Sequence, residues 1–116
     1  MWEVDISLIG TWLLELSDED YQQVYAALEV LEEVGPALGR PLVDTVKHSQ
    51  HKNMKELRPG STGSSEIRLL FAFDPERRAI FLVAGDKAGN WNKWYLKNIK
   101  KADNLFTKHL EGLRRK

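Results

Sequence analysis

Basic side chains in the second half of the chain are the residues best placed to do chemistry. Arg58 ends one predicted strand. Arg68 lies within the next predicted strand, on the face opposite Ile67 and Leu69. An arginine among apolar neighbours in a strand must either form an ion pair or line a groove that a ligand enters. The ion-pair alternative would join Arg68 to Glu56 or Glu66 across the sheet.

A second group of candidates follows the last predicted strand. Lys87 lies in the loop 84–90, where it either serves as a functional group or pairs with Asp86. The next five residues, Trp91-Asn92-Lys93-Trp94-Tyr95, place three aromatic rings and a base where this loop meets the last helix. Aromatic rings stack on nucleobases at ~1–3 kcal/mol per base, and lysine offsets phosphate charge. Alternatively the rings pack the helix onto the sheet, and we expect at least one of the three in the core.

Other kinds of site are excluded by residue type and spacing. The chain has no cysteine, which excludes disulfides, a thiol nucleophile and a thiolate metal site. No Gly-x-Ser-x-Gly nucleophile elbow occurs, and Ser61 and Ser64 lie in a predicted flexible connection without a rigid base nearby. His48 and His51 lack a third ligand at motif spacing. We therefore expect neither a metal nor any other cofactor.

The net charge of zero is divided unevenly along the chain. Residues 1–46 hold ten acids and one base, a formal charge of −9, and residues 47–116 hold seven acids and sixteen bases, a formal charge of +9. Such asymmetry points to a partner with a charged surface, and nucleic acid is the commonest polyanion that a basic segment binds. The alternative is that the two halves attract each other within one fold.

The length and composition predict one globular domain over residues 1–116. A chain of 116 residues falls in the single-domain range and buries roughly two-thirds of its unfolded surface. Its 42% hydrophobic and 29% charged residues are typical of a soluble protein. No apolar run approaches the roughly 18 residues of a membrane span. The segment 1–5 carries acids where a signal peptide carries bases, so we expect a cytoplasmic protein.

Hydrophobic periodicity predicts the element order β–α–α–β–β–β–α. An alternating N-terminal segment predicts a strand, Ser7 to Leu16 turns helical, and a helix with an i, i+3, i+4 apolar stripe runs from Ser17 to Gly35-Pro36. Residues 36–52 are predicted to be irregular. The strand candidates are 53–58, 66–73 and 79–85, with a hairpin turn at 74–78, and the last helix spans about 94–114. This pattern predicts an α+β fold, an antiparallel meander with helices on one face.

Three segments together resemble the RelE/ParE toxin superfamily, in particular its phage-type HigB-like branch. They are residues 54–60 (MKELRPG), 66–74 (EIRLLFAFD) and 84–87 (AGDK), followed by a lysine-rich helix. Over most of the chain, the predicted strands and helices follow the same order as those of the family. The resemblance is strongest over residues 53–101. It implies a RelE-like α+β fold, in which a small antiparallel sheet (N-terminal strand plus three-strand meander) carries two N-terminal helices and a long C-terminal helix.

The resemblance implies the toxin of a type II toxin–antitoxin pair. RelE-like members cut messenger RNA in the ribosomal A site without a metal ion. The ribose 2′-hydroxyl attacks the adjacent phosphate, which leaves a 2′,3′-cyclic phosphate and a free 5′-hydroxyl. This reaction needs a base for the 2′-hydroxyl, cations for the charge that develops on phosphorus, and an acid for the leaving oxygen.

The family pattern assigns roles to particular residues. Arg68 matches the family's mid-strand arginine, which stabilises the transition state, and Arg58 matches the arginine that closes the preceding strand. Lys87 falls where RelE has an arginine after the glycine of its final strand. Tyr95 falls near the tyrosine that caps the site, if the loop before it holds two extra residues. Glu56 departs from the pattern, because it stands where RelE has a catalytic lysine.

The general base stays open at this point. Met54 stands where RelE has its other catalytic lysine, and the adjacent Lys55 is predicted to face the opposite side of the strand. Glu56 is a chemically sensible base, while HigB-like members often use histidine, which makes His48 and His51 candidates as well. The residues predicted to contact RNA are Lys52, Lys55, Trp91, Lys93 and Lys97.

The resemblance also implies partners. An antitoxin, of the small helix-turn-helix kind, would cover the groove or hold the last helix away from it, and the ribosome and messenger RNA would be the targets. No membrane partner is expected. Two other functions stay open: inhibition of gyrase without catalysis, as in ParE, and a non-toxic binding role of a phage-derived protein. The overall neutrality departs from a usually basic family, so ribosome binding would depend on the C-terminal half.

Overall fold

The computed structural model describes residues 1–60 and 63–115. The predicted flexible connection therefore lies partly outside the described residues, at Ser61 and Thr62. Short 3₁₀ turns at Ser7–Ile9 and Gly35–Ala37 adjoin the helices. In chain order, the strands and helices are β1 (Glu3–Asp5), α1 (Gly10–Leu14), α2 (Asp18–Val34), β2 (Val43–Thr45), β3 (Lys55–Leu57), β4 (Ile67–Phe73), β5 (Arg78–Asp86) and α3 (Trp91–Arg114).

The strands form one five-stranded mixed sheet, which confirms the predicted α+β class. The strand order is β1-β5-β4-β3-β2, and β1 pairs in parallel with β5 while every other pair is antiparallel. The sheet thus has one strand more than predicted. We missed β2 because it has three residues inside a segment rich in proline and glycine, and of these only Val43 is buried.

Helices cover both faces of the sheet, so the prediction of helices on one face was wrong. Successive side chains of β4 point to opposite sides, and both sides are apolar. One core cluster combines Ile67 and Leu69 with the buried side chains of α1 and α2. The other combines Leu70 and Ala72 with α3. A strand that is buried on both faces needs a layer of helix on each, which a single-face arrangement does not supply.

Local sequence explains where α2 begins and ends. Ser17 precedes the helix, and its hydroxyl accepts a hydrogen bond from the backbone N of Asp20 at 3.2 Å. Gly35 ends the helix with φ of +70°, a conformation that glycine adopts without strain. A Cβ atom at Gly35 would lie 2.2 Å from the indole nitrogen of Trp2, so the glycine also admits this ring.

Buried acids hold α3 against the sheet. The helix begins three residues earlier than predicted, at Trp91. The buried carboxylate of Asp103 accepts hydrogen bonds from the Ser49 hydroxyl and the backbone N of Gln50, and that of Asp74 lies 2.8 Å from Nε2 of His109. These contacts fix both the loop before β3 and the direction of α3. Among the described residues no helix has the length and apolar character to cross a membrane.

Candidate functional site

The register of β3 and β4 brings three of the predicted site residues together on the face that α3 covers. Glu56 lies opposite Leu70, and continuing this register puts Arg58 beside Arg68. Oε1 of Glu56 lies 3.7 Å from Nε of Arg58 and 3.9 Å from Nε of Arg68. The carboxylate therefore lies between two guanidinium groups, and Arg68 pairs with Glu56 across the sheet.

The guanidinium of Arg68 is held in place but incompletely bonded. Its side chain is 12% exposed, and Nη1 donates a hydrogen bond to the carbonyl oxygen of Ile67 at 2.8 Å. Within residues 1–60 and 63–115, the buried Nε finds no hydrogen-bond acceptor. A buried donor without an acceptor costs ~1–3 kcal/mol, so such groups in a folded protein call for an explanation. An anionic ligand that enters the site would supply the missing acceptor.

Tyr95 connects this pair to the first turns of α3. Burial and the nearby Glu56 carboxylate raise the pKa of Tyr95 far above that of an exposed tyrosine. The phenol therefore lies close to this pair and stays protonated at neutral pH.

Lys87 lies near the Tyr95 ring. Its Nζ is 5.3 Å from the centroid of that ring and 5.9 Å from that of Trp91. The predicted alternative, pairing with Asp86, is not formed: Nζ lies 3.9 Å from Oε2 of Glu66. Oδ1 of Asp86 instead accepts hydrogen bonds from two backbone N–H groups, those of residues 66 and 88.

Trp94 is the aromatic residue of this segment that packs into the core. A Cβ atom added to Gly85 would lie 2.5 Å from its indole nitrogen, so the glycine makes room for the ring against β5. Trp91 is 56% exposed. The expectation that at least one of the three rings is structural is therefore confirmed.

A groove of about 950 Å³ opens beside Glu56 and Tyr95. It runs between β2, the loop that follows β2 and the first half of α3. Aromatic, aliphatic and charged side chains all contribute to its wall. Its lining includes Asp44, Lys47, Glu56, Trp91, Tyr95 and Lys100.

Asp44 is a site residue that the sequence analysis missed. It lies opposite Glu56 in the β2–β3 register, and its Oδ2 is 3.9 Å from Arg58 and 2.9 Å from Nη2 of Arg40. The hydrogen bonds that it accepts from Arg40 and from the backbone of Thr45 hold the pKa of Asp44 below its ordinary value. The alternation of Val43 and Asp44 was the available signal, and it is too short to distinguish a strand from a loop.

Four of the predicted RNA contacts lie away from the groove. Lys52 adjoins a separate hollow beside the C-terminal half of α3, and Nζ of Lys55 lies 3.4 Å from the hydroxyl of Thr45, on the strand face that the sequence predicted. Lys93 and Lys97 are exposed and stand about 160° from Tyr95 around the helix axis. Among the five predicted contacts, Trp91 alone lines the groove.

The two histidines separate in the structure. His48 lines the groove, while the His51 ring packs against Phe106 at 5.0 Å, with its Nε2 2.9 Å from the hydroxyl of Thr107. His48 is therefore the histidine that stays near the candidate site. The part of the chain that the structure describes has no group of three or more histidine and acidic side chains arranged to hold a metal ion.

Relatives of this chain carry toxin names. A protein of Mycobacterium tuberculosis named "Putative toxin HigB2" is 62% identical over 109 residues, which are 94% of this chain and 54% of that protein. A second protein of that organism, named "Putative toxin HigB3", is 53% identical over 95 residues, which are 82% of this chain and 81% of that protein. The chain thus spans about half the length of the first relative.

No solved structure matches the chain. A family model described as "Phage derived protein Gp49-like (DUF891)" matches residues 11–107. This match covers α1 to most of α3 and therefore includes the whole cluster around Glu56. The resemblance to HigB-like proteins is confirmed, and the chain belongs to the Gp49-like family of phage-derived proteins.

Proposed function

We propose that this chain is the toxin of a type II toxin–antitoxin pair and cleaves translated messenger RNA on the ribosome by metal-independent transesterification. The toxin names of the relatives support the first part. The observation that carries the second is the buried Nε of Arg68, an unpartnered donor that lies 3.9 Å from a carboxylate. A charged donor, a base and an acid within one cluster are the groups that this reaction requires.

Each group of the cluster has a step to perform. The Glu56 carboxylate takes the proton of the ribose 2′-hydroxyl as its oxygen forms a bond to phosphorus. Arg58 and Arg68 donate hydrogen bonds to the non-bridging phosphate oxygens, on which negative charge increases. The bond from phosphorus to the 5′-oxygen then breaks, and the Tyr95 hydroxyl protonates that oxygen. Proton exchange with solvent then returns Glu56 to the carboxylate and Tyr95 to the phenol.

Access to the cluster requires a movement of Tyr95. Arg58 is 35% exposed and marks the open side, whereas the side chains of Glu56 and Arg68 are 11% and 12% exposed. A phosphate that reaches Nε of Arg68 must displace the Tyr95 phenol from its place beside Glu56 and Arg68. Hydrogen bonds from arginine to a charged group contribute ~1.5–3 kcal/mol, and those to the phosphodiester monoanion or the phosphorane would offset this movement.

The test is expression of the chain in bacteria, followed by primer extension on a translated message. We expect growth arrest and cuts within codons, and we expect no cuts when an upstream stop codon prevents translation of that message. Glu56→Gln should remove the cuts, because an amide cannot accept the 2′-hydroxyl proton. Glu76→Gln is the matched control, since that half-exposed carboxylate pairs with Arg78 in the β4–β5 turn.

Two outcomes would contradict the proposal. Equal cleavage of the message with and without translation would exclude ribosome dependence. Growth arrest with a DNA-damage response and intact messages would exclude the nuclease and favour inhibition of gyrase.

A further inference from the structure

The groove beside Glu56 continues from the candidate catalytic cluster. Glu56 and Tyr95 belong to both, so a strand of RNA whose phosphate lies at the cluster can extend along this groove. At about 950 Å³ the groove reaches the upper end of the range for small-molecule sites and holds more than one nucleotide. The volume of the groove and its connection to the cluster therefore suit an extended, unpaired RNA strand.

The carboxylates in the groove wall are already engaged by groups of the protein. Asp44 pairs with Arg40 and Arg58. Asp103 accepts hydrogen bonds from a serine hydroxyl and a backbone N–H group, and Glu56 lies between two arginines. No acid of the wall is therefore left to neutralise a further cation.

Two cations of the wall have no such partner. Neither Lys47, on the loop after β2, nor Lys100, on α3, forms an ion pair within the described part of the chain. Both are exposed. They come from different elements that border one groove, so an anion inside it can be contacted from both sides.

The groove also presents apolar surface that residues 1–60 and 63–115 leave exposed. Trp91 is 56% exposed and Leu96 is 78% exposed, and both line it. An exposed indole beside free lysines is the combination with which proteins bind single-stranded nucleic acid, because the ring stacks on a base while the cations contact phosphates. A protein partner would gain free energy by burying Trp91 and Leu96, but it would also need acidic groups placed opposite Lys47 and Lys100.

We propose that this groove holds the single-stranded RNA segment adjoining the cleaved phosphate, with Trp91 stacking on a base and Lys47 and Lys100 contacting phosphates. The inference rests on the proposed function for the position of the cleaved bond. Lys47 and Lys100 replace Lys93 and Lys97 as the RNA contacts expected from this part of the chain. The groove, rather than the exposed side of α3, then sets which bases are accepted next to the cut.

The test measures binding of the full chain to a fluorescent single-stranded RNA with 2′-O-methyl riboses, which cannot be cleaved. For the double variant Lys47→Gln/Lys100→Gln we expect weaker binding and a salt dependence whose slope falls by about 1.4, since each phosphate contact contributes ~0.7. Trp91→Ala should weaken binding about 5- to 150-fold, the equivalent of ~1–3 kcal/mol of stacking. Lys101→Gln/Lys108→Gln is the matched control, because both lysines are exposed on α3 and neither lines the groove.

The outcomes separate this inference from the proposed function. Equal losses in the groove pair and the control pair, or no loss in either, would overturn the groove as the RNA site even if the wild-type chain cuts messages. Unchanged RNA binding by the groove variants with lost antitoxin binding would assign the groove to that protein instead. The methylated RNA cannot be cleaved, so its binding is measured independently of catalysis, and a failure of cleavage alone would leave the groove result standing.

Discussion

Replacing Arg68 by alanine separates catalysis from folding most directly. The change removes the donor whose Nε lacks an acceptor, together with the bond from Nη1 to the carbonyl oxygen of Ile67 and the contact with Glu56. Losing one donor aimed at the developing charge costs ~3 kcal/mol, which is a 10²- to 10³-fold lower cleavage rate. Glu56 would lose one of its two arginine partners, so the free energy of unfolding should also fall, by ~1–3 kcal/mol.

The stability loss has a matched control at the other end of the sheet. Arg78→Ala removes an arginine that is 24% exposed and contacts Asp74, a carboxylate with no exposed surface, through Nη2 at 3.3 Å. It breaks a partly buried arginine–carboxylate pair as Arg68→Ala does, but it is remote from the groove. We therefore expect both variants to lower Tm, by roughly 3–6 °C for each kcal/mol. Only Arg68→Ala should also lower the cleavage rate 10²- to 10³-fold.

The assay combines thermal unfolding with the rate at which cuts accumulate in a translated message. Both variants are compared with the wild type at a temperature where each is more than nine-tenths folded. A folded Arg68→Ala protein that cuts at more than a tenth of the wild-type rate would refute the catalytic assignment. Equal loss of cleavage in the two variants would show that stability, and not the guanidinium, limits activity.

Two further predictions concern single side chains. Tyr95→Phe removes the hydroxyl proposed to protonate the leaving 5′-oxygen, so the cleavage rate in the primer-extension assay should fall about 10²-fold while Tm changes little. Asp74→Asn should lower the free energy of unfolding in urea by ~3 kcal/mol at pH 7, since the buried carboxylate binds His109 and Arg78. Burial alone would raise the pKa of Asp74, but these contacts and two backbone N–H groups lower it below 3.8. The ionised group thus stabilises the fold above pH 3.8, and this contribution is lost as the pH falls through the lower folded pKa. Unfolding measured from pH 2 to pH 7 should therefore show a flatter acid limb for Asp74→Asn, and an unchanged limb would contradict the role given to Asp74.

Local periodicity was sufficient to place Arg68. The alternation of β4 put it on the face opposite Ile67, and the structure has it there, facing Glu56. The lengths and pairings of the short strands could not be predicted from local periodicity. The three residues of β2 and the parallel pairing of β1 with β5 are fixed by contacts between residues far apart in the chain. Asp44 became visible as a neighbour of Glu56 only through that pairing.

The lysines that line the groove could not be identified from the sequence alone. Lys93 and Lys97 are near Tyr95 in sequence, but neither lines the groove. Lys100 lines it further along α3, beside Ile99 and Asp103. Lys47 lines it from the loop between β2 and β3, which is distant from α3 in the chain. A search by composition finds the basic segment, whereas the choice among its lysines requires the packed helix.

The ion pairs bear on the uneven charge of the chain. If residues 1–46 and 47–116 carried opposite charge mainly to attract each other, the ion pairs would join the two segments. Within the described residues only the pair between Arg58 and Asp44 does so, and the other seven lie inside one segment. Asp18 and Glu19 are exposed in the first turn of α2, at the positive end of its dipole. Within the described residues, Lys87 is the only lysine of the second segment in an ion pair, and Lys47 and Lys100 are the lysines of that segment that line the groove. A polyanion bound in the groove, as proposed, would therefore contact this part of the positive charge.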